Sequence, residues 1–385
     1  MNGIMTLVNF QSATRIESGV GKVTELGRLA LELKVKRVLV VSDPGVIGAG
    51  HTKHGIKSLN DANLDTCLFD GVQENPTTDN VEAGLVVAKE FQPELIVGLG
   101  GGSSMDCAKG INFLYSCGGR MQDYWGIGKA TGPLLPMIAV PTTAGTGSET
   151  QSFALISDAA THVKMACGDR QAAFRIAILD PELTLTQPPR VSALAGFDAL
   201  SHAVETYVTT KRSEISCDFS RRAWQELAPH YLQVLEEPDN LSARAHMQLG
   251  ACLAGSAIEN SMLGAAHALA NPLTATYQIA HGVAVALMLP HVVRFNGSEC
   301  DSWYRELLAE TADQSNCPHG GSAELADFLR NAAIQAGLPA TLQECGIERD
   351  RLPHLAEAAS CQWTAAFNPV PVNRDTLLKL YEQAY

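Results

Sequence analysis

Asp198 and His202 stand four residues apart in Gly196-Phe-Asp-Ala-Leu-Ser-His-Ala-Val-Glu205, a spacing that puts two side chains on one face of a helix. Ala199, Leu200, Ala203 and Val204 make that helix apolar, and a carboxylate in such company needs a partner or a cation. Two more imidazoles follow in Gly264-Ala-Ala-His-Ala-Leu-Ala-Asn-Pro272 and Ile279-Ala-His-Gly282. His267 and His281 would lie ~21 Å apart along one continuous helix at ~1.5 Å per residue. Ligand atoms sit only ~2.0–2.2 Å from an ion, so a single helix does not supply both. Pro272 predicts the break: it disfavours helix at Asn271 and turns the chain back, so that His281 opens the next element. Each histidine taken alone reads as a core imidazole bonded to a carbonyl. One carboxylate and three imidazoles together in an apolar setting read as a metal site, suited to Fe²⁺ or Zn²⁺ rather than Mg²⁺ or Ca²⁺. His51, His54, His162, His230, His246, His291, His319 and His354 have no comparable spacing and read as surface or structural residues.

A second group of residues could cradle phosphate. Glu94-Leu-Ile-Val-Gly-Leu-Gly-Gly-Gly-Ser-Ser-Met-Asp106 reads as a buried strand running through glycines into a helix, where close backbone approach and free N–H groups favour an anion. Ser103 and Asp106 have the spacing of a capping box. Pro141-Thr-Thr-Ala-Gly-Thr-Gly-Ser-Glu149 follows another apolar strand and offers many hydroxyl donors. The glycine spacing departs from GxGxxG, and the candidate ribose-binding acid, Asp43, precedes the glycines instead of following them by about 20 residues. An ordinary Rossmann fingerprint is therefore excluded, while a dinucleotide site built from the two loops is expected.

The elements that must position these groups change character along the chain. Arg37–Ser42, Leu64–Phe69, Glu94–Gly98, Met137–Val140 and Ile176–Leu179 read as short buried strands, with helical patterns over Asp79–Phe91 and Ser104–Tyr115. That alternation predicts a parallel sheet with helices on both faces. Beyond Leu185-Thr-Gln-Pro-Pro189 strand-like runs become rare, and helices are expected over Ser192–Thr209, Cys217–Leu235, Ala243–Ala270, Val283–Phe295 and Ala323–Gly337. We expect an α/β dinucleotide-binding domain over 1–187 and an all-helical metal-binding domain over 188–385.

Composition bounds the function. The 385 residues are 46% hydrophobic and 18% charged, with a net charge of −13; this apolar content excludes intrinsic disorder, and the absence of a basic run argues against nucleic acid as partner. Ten scattered cysteines with no CxxC pair suit a reducing compartment. The N-terminal stretch lacks the layout of a secretory signal, and no run of apolar residues is long enough to span a bilayer. A cytoplasmic protein is expected.

These motifs converge on a known family. GGGSSMD (100–106), PTTAGTGSE (141–149), GFDALSHAVETY (196–207), and HALANP with AHG (267–272 and 280–282) resemble, in combination and in order, the iron-containing (group III) alcohol dehydrogenases. The resemblance covers nearly the whole chain. It implies a dehydroquinate synthase-like architecture, an α/β nucleotide domain and an all-α domain with a metal in the cleft between them, assembled as homodimers or larger oligomers. Carried over position by position, the metal ligands fall on Asp198, His202, His267 and His281. Cofactor contacts fall on Asp43, Asn75, the turn at Gly101, Gly102, Ser103, Ser104 and Asp106, and on Thr142, Thr143, Thr146 and Lys164. A carboxylate at Asp43 would repel a 2′-phosphate, which favours NAD over NADP. The implied activity is reversible hydride transfer between a small alcohol or aldehyde and nicotinamide. Glycerol dehydrogenases, maleylacetate reductases and dehydroquinate synthase-like lyases are alternatives in the same superfamily, and a nucleotide-sensing module is the non-enzymatic one. Many members carry a histidine where this chain has Asn271, and a glycine where it has Thr274. Imidazole relays protons near neutral pH and an amide does not, so Asn271 either displaces a proton relay or only orients the bound molecules.

Overall fold

Alternating burial in the apolar runs of the first half explains the sheet. Val38 and Val40 pack on one face while Leu39 and Val41 pack on the other, and the neighbouring strands repeat the pattern. Both faces are therefore covered, as a parallel sheet requires. In the computed structural model, which describes residues 13–311 and 320–385, nine strands are assigned: β1 (Arg15–Ser18), β2 (Arg37–Val41), β3 (Asp65–Phe69), β4 (Leu95–Gly100), β5 (Gly126–Ile127), β6 (Met137–Pro141), β7 (Phe153–Ser157), β8 (Lys164–Gly168) and β9 (Ile176–Leu179). Six form a parallel sheet in the order β1-β9-β6-β4-β2-β3. The five expected strands are all in it. β1 was not expected: Arg15-Ile-Glu-Ser18 is a mostly exposed edge with one apolar residue. Nor was the small sheet β5-β8-β7, whose members are two to five residues long.

From β2 the chain runs to β3 on one side and then returns to place β4 on the other. The crevice beyond the carboxyl ends of β2 and β4 is thus the topological switch point, where open α/β sheets receive ligands.

From Pro189 onward the described residues contain helices and no strand. The expected helices over Ser192–Thr209, Val283–Phe295 and Ala323–Gly337 are found as Pro189–Val208, His281–Ala309 and Ser322–Gln335. Two expectations are corrected. The Cys217–Leu235 helix is two, Glu214–Leu227 and Tyr231–Glu236. The Ala243–Ala270 helix is also two, Leu241–Glu259 and Ala265–Tyr277, divided at Asn260–Gly264. Gly264 is required there, because a Cβ would meet Asn368 Oδ1 at 3.0 Å and Glu205 Oε1 at 3.1 Å. Those two oxygens replace a local cap: Asn368 Oδ1 accepts from Ala265 N at 3.2 Å, and Glu205 Oε1 from Ala266 N at 2.8 Å.

Pro272 does not turn the chain back. It lies inside the Ala265–Tyr277 helix, which ends at Gln278 with φ of +55°. An internal proline costs about 3 kcal/mol, but Leu269 and Leu273, fully buried on either side of it, return about 1.5–3 kcal/mol each. His281 does open the following helix, as expected. The nine described cysteines are all free thiols. Residues 1–12 and His319, on which two sequence readings rest, lie outside the described residues.

Candidate functional site

Three helices converge on one carboxylate oxygen. Asp198 Oδ1 lies 3.4 Å from His202 Nε2, 3.5 Å from His267 Nε2 and 3.7 Å from His281 Nε2. Ligand atoms of Asp198, His267 and His281 all fall within 4.8 Å of one another. His202 reaches the same oxygen from one helical turn along, its ring stacked on that of His267 at 5.0 Å. Gly282 permits the convergence, since any Cβ there would collide with the Leu194 carbonyl of the Asp198 helix.

Asp198, His202 and His267 are buried, whereas the His281 side chain is 30% exposed, so the site opens on one side. Burial would raise the Asp198 carboxyl, but the surrounding imidazoles hold it well below the ordinary range. Burial, with His267, Lys164 and His202 nearby, pushes His281 down to about 3. Burial also opposes charge on His267, yet Glu205 and Asp198 raise it to about 9. Asp198 Oδ1 and His267 Nε2 are buried with no hydrogen-bond partner among the described residues. An orphaned carboxylate oxygen and an orphaned imidazole nitrogen, with the Nε2 atoms of His202 and His281 within 3.7 Å of the same oxygen, fit a borderline divalent cation.

Glu205, one turn beyond His202, was not singled out in the sequence. Its Oε2 lies 2.5 Å from His267 Nδ1, which fixes the ring and leaves Nε2 for the centre. The signal was available: Asp198, His202 and Glu205 follow i, i+4, i+7 spacing on a helix that is otherwise apolar. Asn368, which helps cap the His267 helix, also exchanges hydrogen bonds with Asn296 of the His281 helix at 2.7 and 3.1 Å.

The two hydroxyl- and glycine-rich loops meet at the switch point. Asp43, two residues beyond β2, caps the following turn of helix through Val46 N at 3.0 Å and accepts from Ser104 Oγ at 3.1 Å. Gly100 adopts φ of +153° against Ser104 and Asp43, a conformation that favours glycine. Gly102 rests on Thr146, where a Cβ would lie 2.7 Å from the side chain, and Gly101 faces Thr143. Thr142 N donates to Gly100 O at 2.9 Å. The expected capping box is absent: Gly101 caps the Gly102–Cys117 helix, Ser103 Oγ accepts from Asn75 N at 3.3 Å, and Asp106 turns inward. Asp106 Oδ1 accepts from Ser148 Oγ at 2.7 Å beside the fully buried Lys109, whose Nζ donates to Ser148 O and Phe153 O. This buried tie, unread in the sequence, locks one loop to the other. Across the crevice Lys164 Nζ reaches Asn75 Oδ1 at 3.4 Å. The Lys164 side chain is exposed at this rim.

The second loop also joins the crevice to the Asp198 cluster. Gly145 packs on Ala195 of the Asp198 helix, and Gly147, with φ of +63°, packs on Gly255 of the Leu241–Glu259 helix. Asn271, one turn beyond His267, donates from Nδ2 to Gln362 Oε1 at 3.0 Å. The seven other described histidines do not join the cluster. The arrangement can hold a divalent cation beside a crevice whose backbone and hydroxyls suit a dinucleotide.

The chain is similar to known proteins along nearly its whole length. The model described as iron-containing alcohol dehydrogenase matches residues 13–181, and that of the C-terminal part of the same family matches residues 192–385. Alcohol dehydrogenase 4 of Schizosaccharomyces pombe is 34% identical over 95% of this chain and 86% of its own length. An NAD-dependent methanol dehydrogenase of Bacillus methanolicus is 32% identical over 89% of this chain and 90% of its own. The crystal structure of a 1,3-propanediol oxidoreductase superposes with a TM-score of 0.92 at 31% identity, covering 96% of this chain and 97% of that one.

Proposed function

The chain belongs to the iron-containing alcohol dehydrogenase family of oxidoreductases, and from that premise we propose that it catalyses metal-dependent, NAD-linked interconversion of a small alcohol and its aldehyde or ketone. The observation that carries the proposal is the meeting of Asp198, His267 and His281 ligand atoms within 4.8 Å, with His202 on the same carboxylate oxygen. When bound, a divalent ion supplies a Lewis acid for an alcohol or carbonyl oxygen, and the nicotinamide supplies the hydride acceptor or donor.

The protein's own groups would do the rest. Asp198, His202, His267 and His281 hold the ion, Fe²⁺ or Zn²⁺, and Glu205 keeps His267 in its ligating tautomer. Gly101, Gly102, Ser103 and Ser104 present backbone and hydroxyls to the dinucleotide, with Thr142, Thr143 and Thr146 opposite and Asn75 and Lys164 at the rim. Asp106 acts from behind this surface by fixing Ser148. Asp43 disfavours a 2′-phosphate, hence NAD in preference to NADP. Asn271 stands beside the reacting centre and does not carry a proton itself. The relatives named for methanol and 1,3-propanediol support a small alcohol. We place the boundary between the two domains at 187/188 and expect a cytoplasmic homodimer or larger homo-oligomer, with neither nucleic acid nor membrane as partner.

The test is absorbance at 340 nm with NAD and a panel of alcohols after anaerobic loading with iron or zinc. Net NADH formation is expected, which a lyase using NAD transiently would not give. Asp198→Ala is expected to keep its far-UV circular dichroism, lose the metal by elemental analysis and lose activity by orders of magnitude. Full turnover by chelator-treated protein without metal would overturn the proposal.

A further inference from the structure

We propose that Gln187 and Gln248 are positioning residues for the dinucleotide: their amides hold two consecutive carbonyls at the carboxyl end of β6, and so keep the Thr143 N–H free to donate to the bound cofactor. This rests on the dehydrogenase reading above, in which Thr143 lines the crevice and neither glutamine has a role. Gln248 Nε2 donates to Pro141 O at 3.0 Å, and Gln187 Nε2 to Thr142 O at 2.7 Å. Pro141 is the last residue of β6, in register with Gly100 of β4, and Thr142 N extends the ladder by donating to Gly100 O. Neither amide belongs to the sheet. Gln248 comes from the Leu241–Glu259 helix, and Gln187 from the segment that leads into the Asp198 helix.

The surroundings of each amide fix which end faces the loop. Gln187 Oε1 accepts from Ser192 Oγ at 3.1 Å and from Arg244 Nη1 at 3.4 Å. A guanidinium only donates, so Oε1 must lie on that side and Nε2 must face the Thr142 carbonyl. Arg244 is itself buried and anchored, donating to Ser192 Oγ at 2.9 Å and to Pro238 O at 3.0 Å. Gln248 is buried too, and its Oε1 has no hydrogen-bond partner among the described residues. A leucine would fill that place without stranding an oxygen. What the amide adds is the donor on Pro141 O.

The consequence falls on the next peptide group. All peptide bonds among the described residues are trans, and in a trans peptide the carbonyl and the following N–H point in opposite directions. With Thr142 O turned onto Gln187, the Thr143 N–H points away from it, and no group among the described residues accepts that hydrogen. Thr143 is half-buried and lies against Gly101, at the start of the Gly102–Cys117 helix. A free donor beside a helix start suits an anionic phosphate. Carbonyls released from the glutamines would be free to turn and set acceptor oxygens against that anion. The same helix holds the rest of the loop: Thr150 Oγ1 donates to Cys252 O at 3.1 Å, and Gly147 packs on Gly255. Gln248, Cys252 and Gly255 follow i, i+4, i+7, so one stripe of the helix seats the loop from end to end.

The test titrates metal-loaded wild type and variants with NADH by nicotinamide fluorescence, alongside steady-state kinetics with NAD and an alcohol. Gln187→Glu keeps the shape and the bond to Arg244 but removes the donor, and Gln248→Met keeps the volume. Each is expected to raise Kd for NADH and KM for NAD by about 10-fold, with kcat and the alcohol KM within about 3-fold of wild type. Thermal melts identify a variant that is not folded, and the other then decides. A folded variant with the wild-type Kd overturns the proposal alone. So does a loss spread equally over kcat and both KM values, which a general distortion would give. Wild-type protein that neither binds NADH nor forms it overturns the dehydrogenase reading as well.

Discussion

Individual side chains here carry opposite electrostatic assignments. Asp198 is held ionised among imidazoles, whereas Glu149, 2% exposed in the loop between crevice and helices, has one oxygen without a partner and is raised by burial to about 7. A carboxyl whose pKa is higher folded than unfolded stabilises the fold below the unfolded value, near 4.3, and that contribution is lost as pH rises to the folded value. Stability should therefore fall between about pH 4.5 and 7 by up to about 3 kcal/mol. Glu149→Gln should flatten this slope and leave the variant more stable than wild type at pH 8, as read by denaturant unfolding at pH 5 and pH 8. At this scale the sequence was legible wherever spacing within one helix carried the signal, as for Asp198 and His202. Glu205 obeyed the same spacing but was passed over. Lys109 and Gln362 act through partners 39 and 91 residues away, a separation no local pattern encodes.

Elements bring the side chains to register. The expected strands came out within one or two residues because β-branched runs bounded by glycine, proline or aspartate have few other uses. Edge strand β1 and the small sheet escaped notice because their burial is partial. Pro272 misled for a different reason: burial of its neighbours outweighs a local preference. The start of the His281 helix depends on Gly282 lying against Leu194, four residues before Asp198 on the partner helix. Gly282→Ala is expected to push these helices apart, lowering retained metal by about 10-fold after dialysis and stability by about 1–3 kcal/mol. Elemental analysis and thermal melts check both.

Across the molecule, the crevice at the sheet's switch point and the four-residue cluster are joined by the loop at 141–149, which packs on both the Asp198 helix and the Leu241–Glu259 helix. The two halves were legible from the change of texture near Pro188 and Pro189; the glycine contacts that seat them were not, because close approach is a property of the partner surface. An ion bound only by the folded chain adds stability by mass action, about 2.7 kcal/mol at 100 times its dissociation constant. Chelation should lower Tm by a few degrees while the far-UV circular dichroism at 20 °C stays unchanged, and re-addition of iron or zinc should restore it.

The cap on the His267 helix has a temporal side. Asn368 closes that helix and grips Asn296 of the His281 helix, yet it is synthesised a hundred residues after His267. On a growing polypeptide every candidate ligand would thus emerge before the clamp that aligns them, and ion capture with full affinity would have to wait for residue 368.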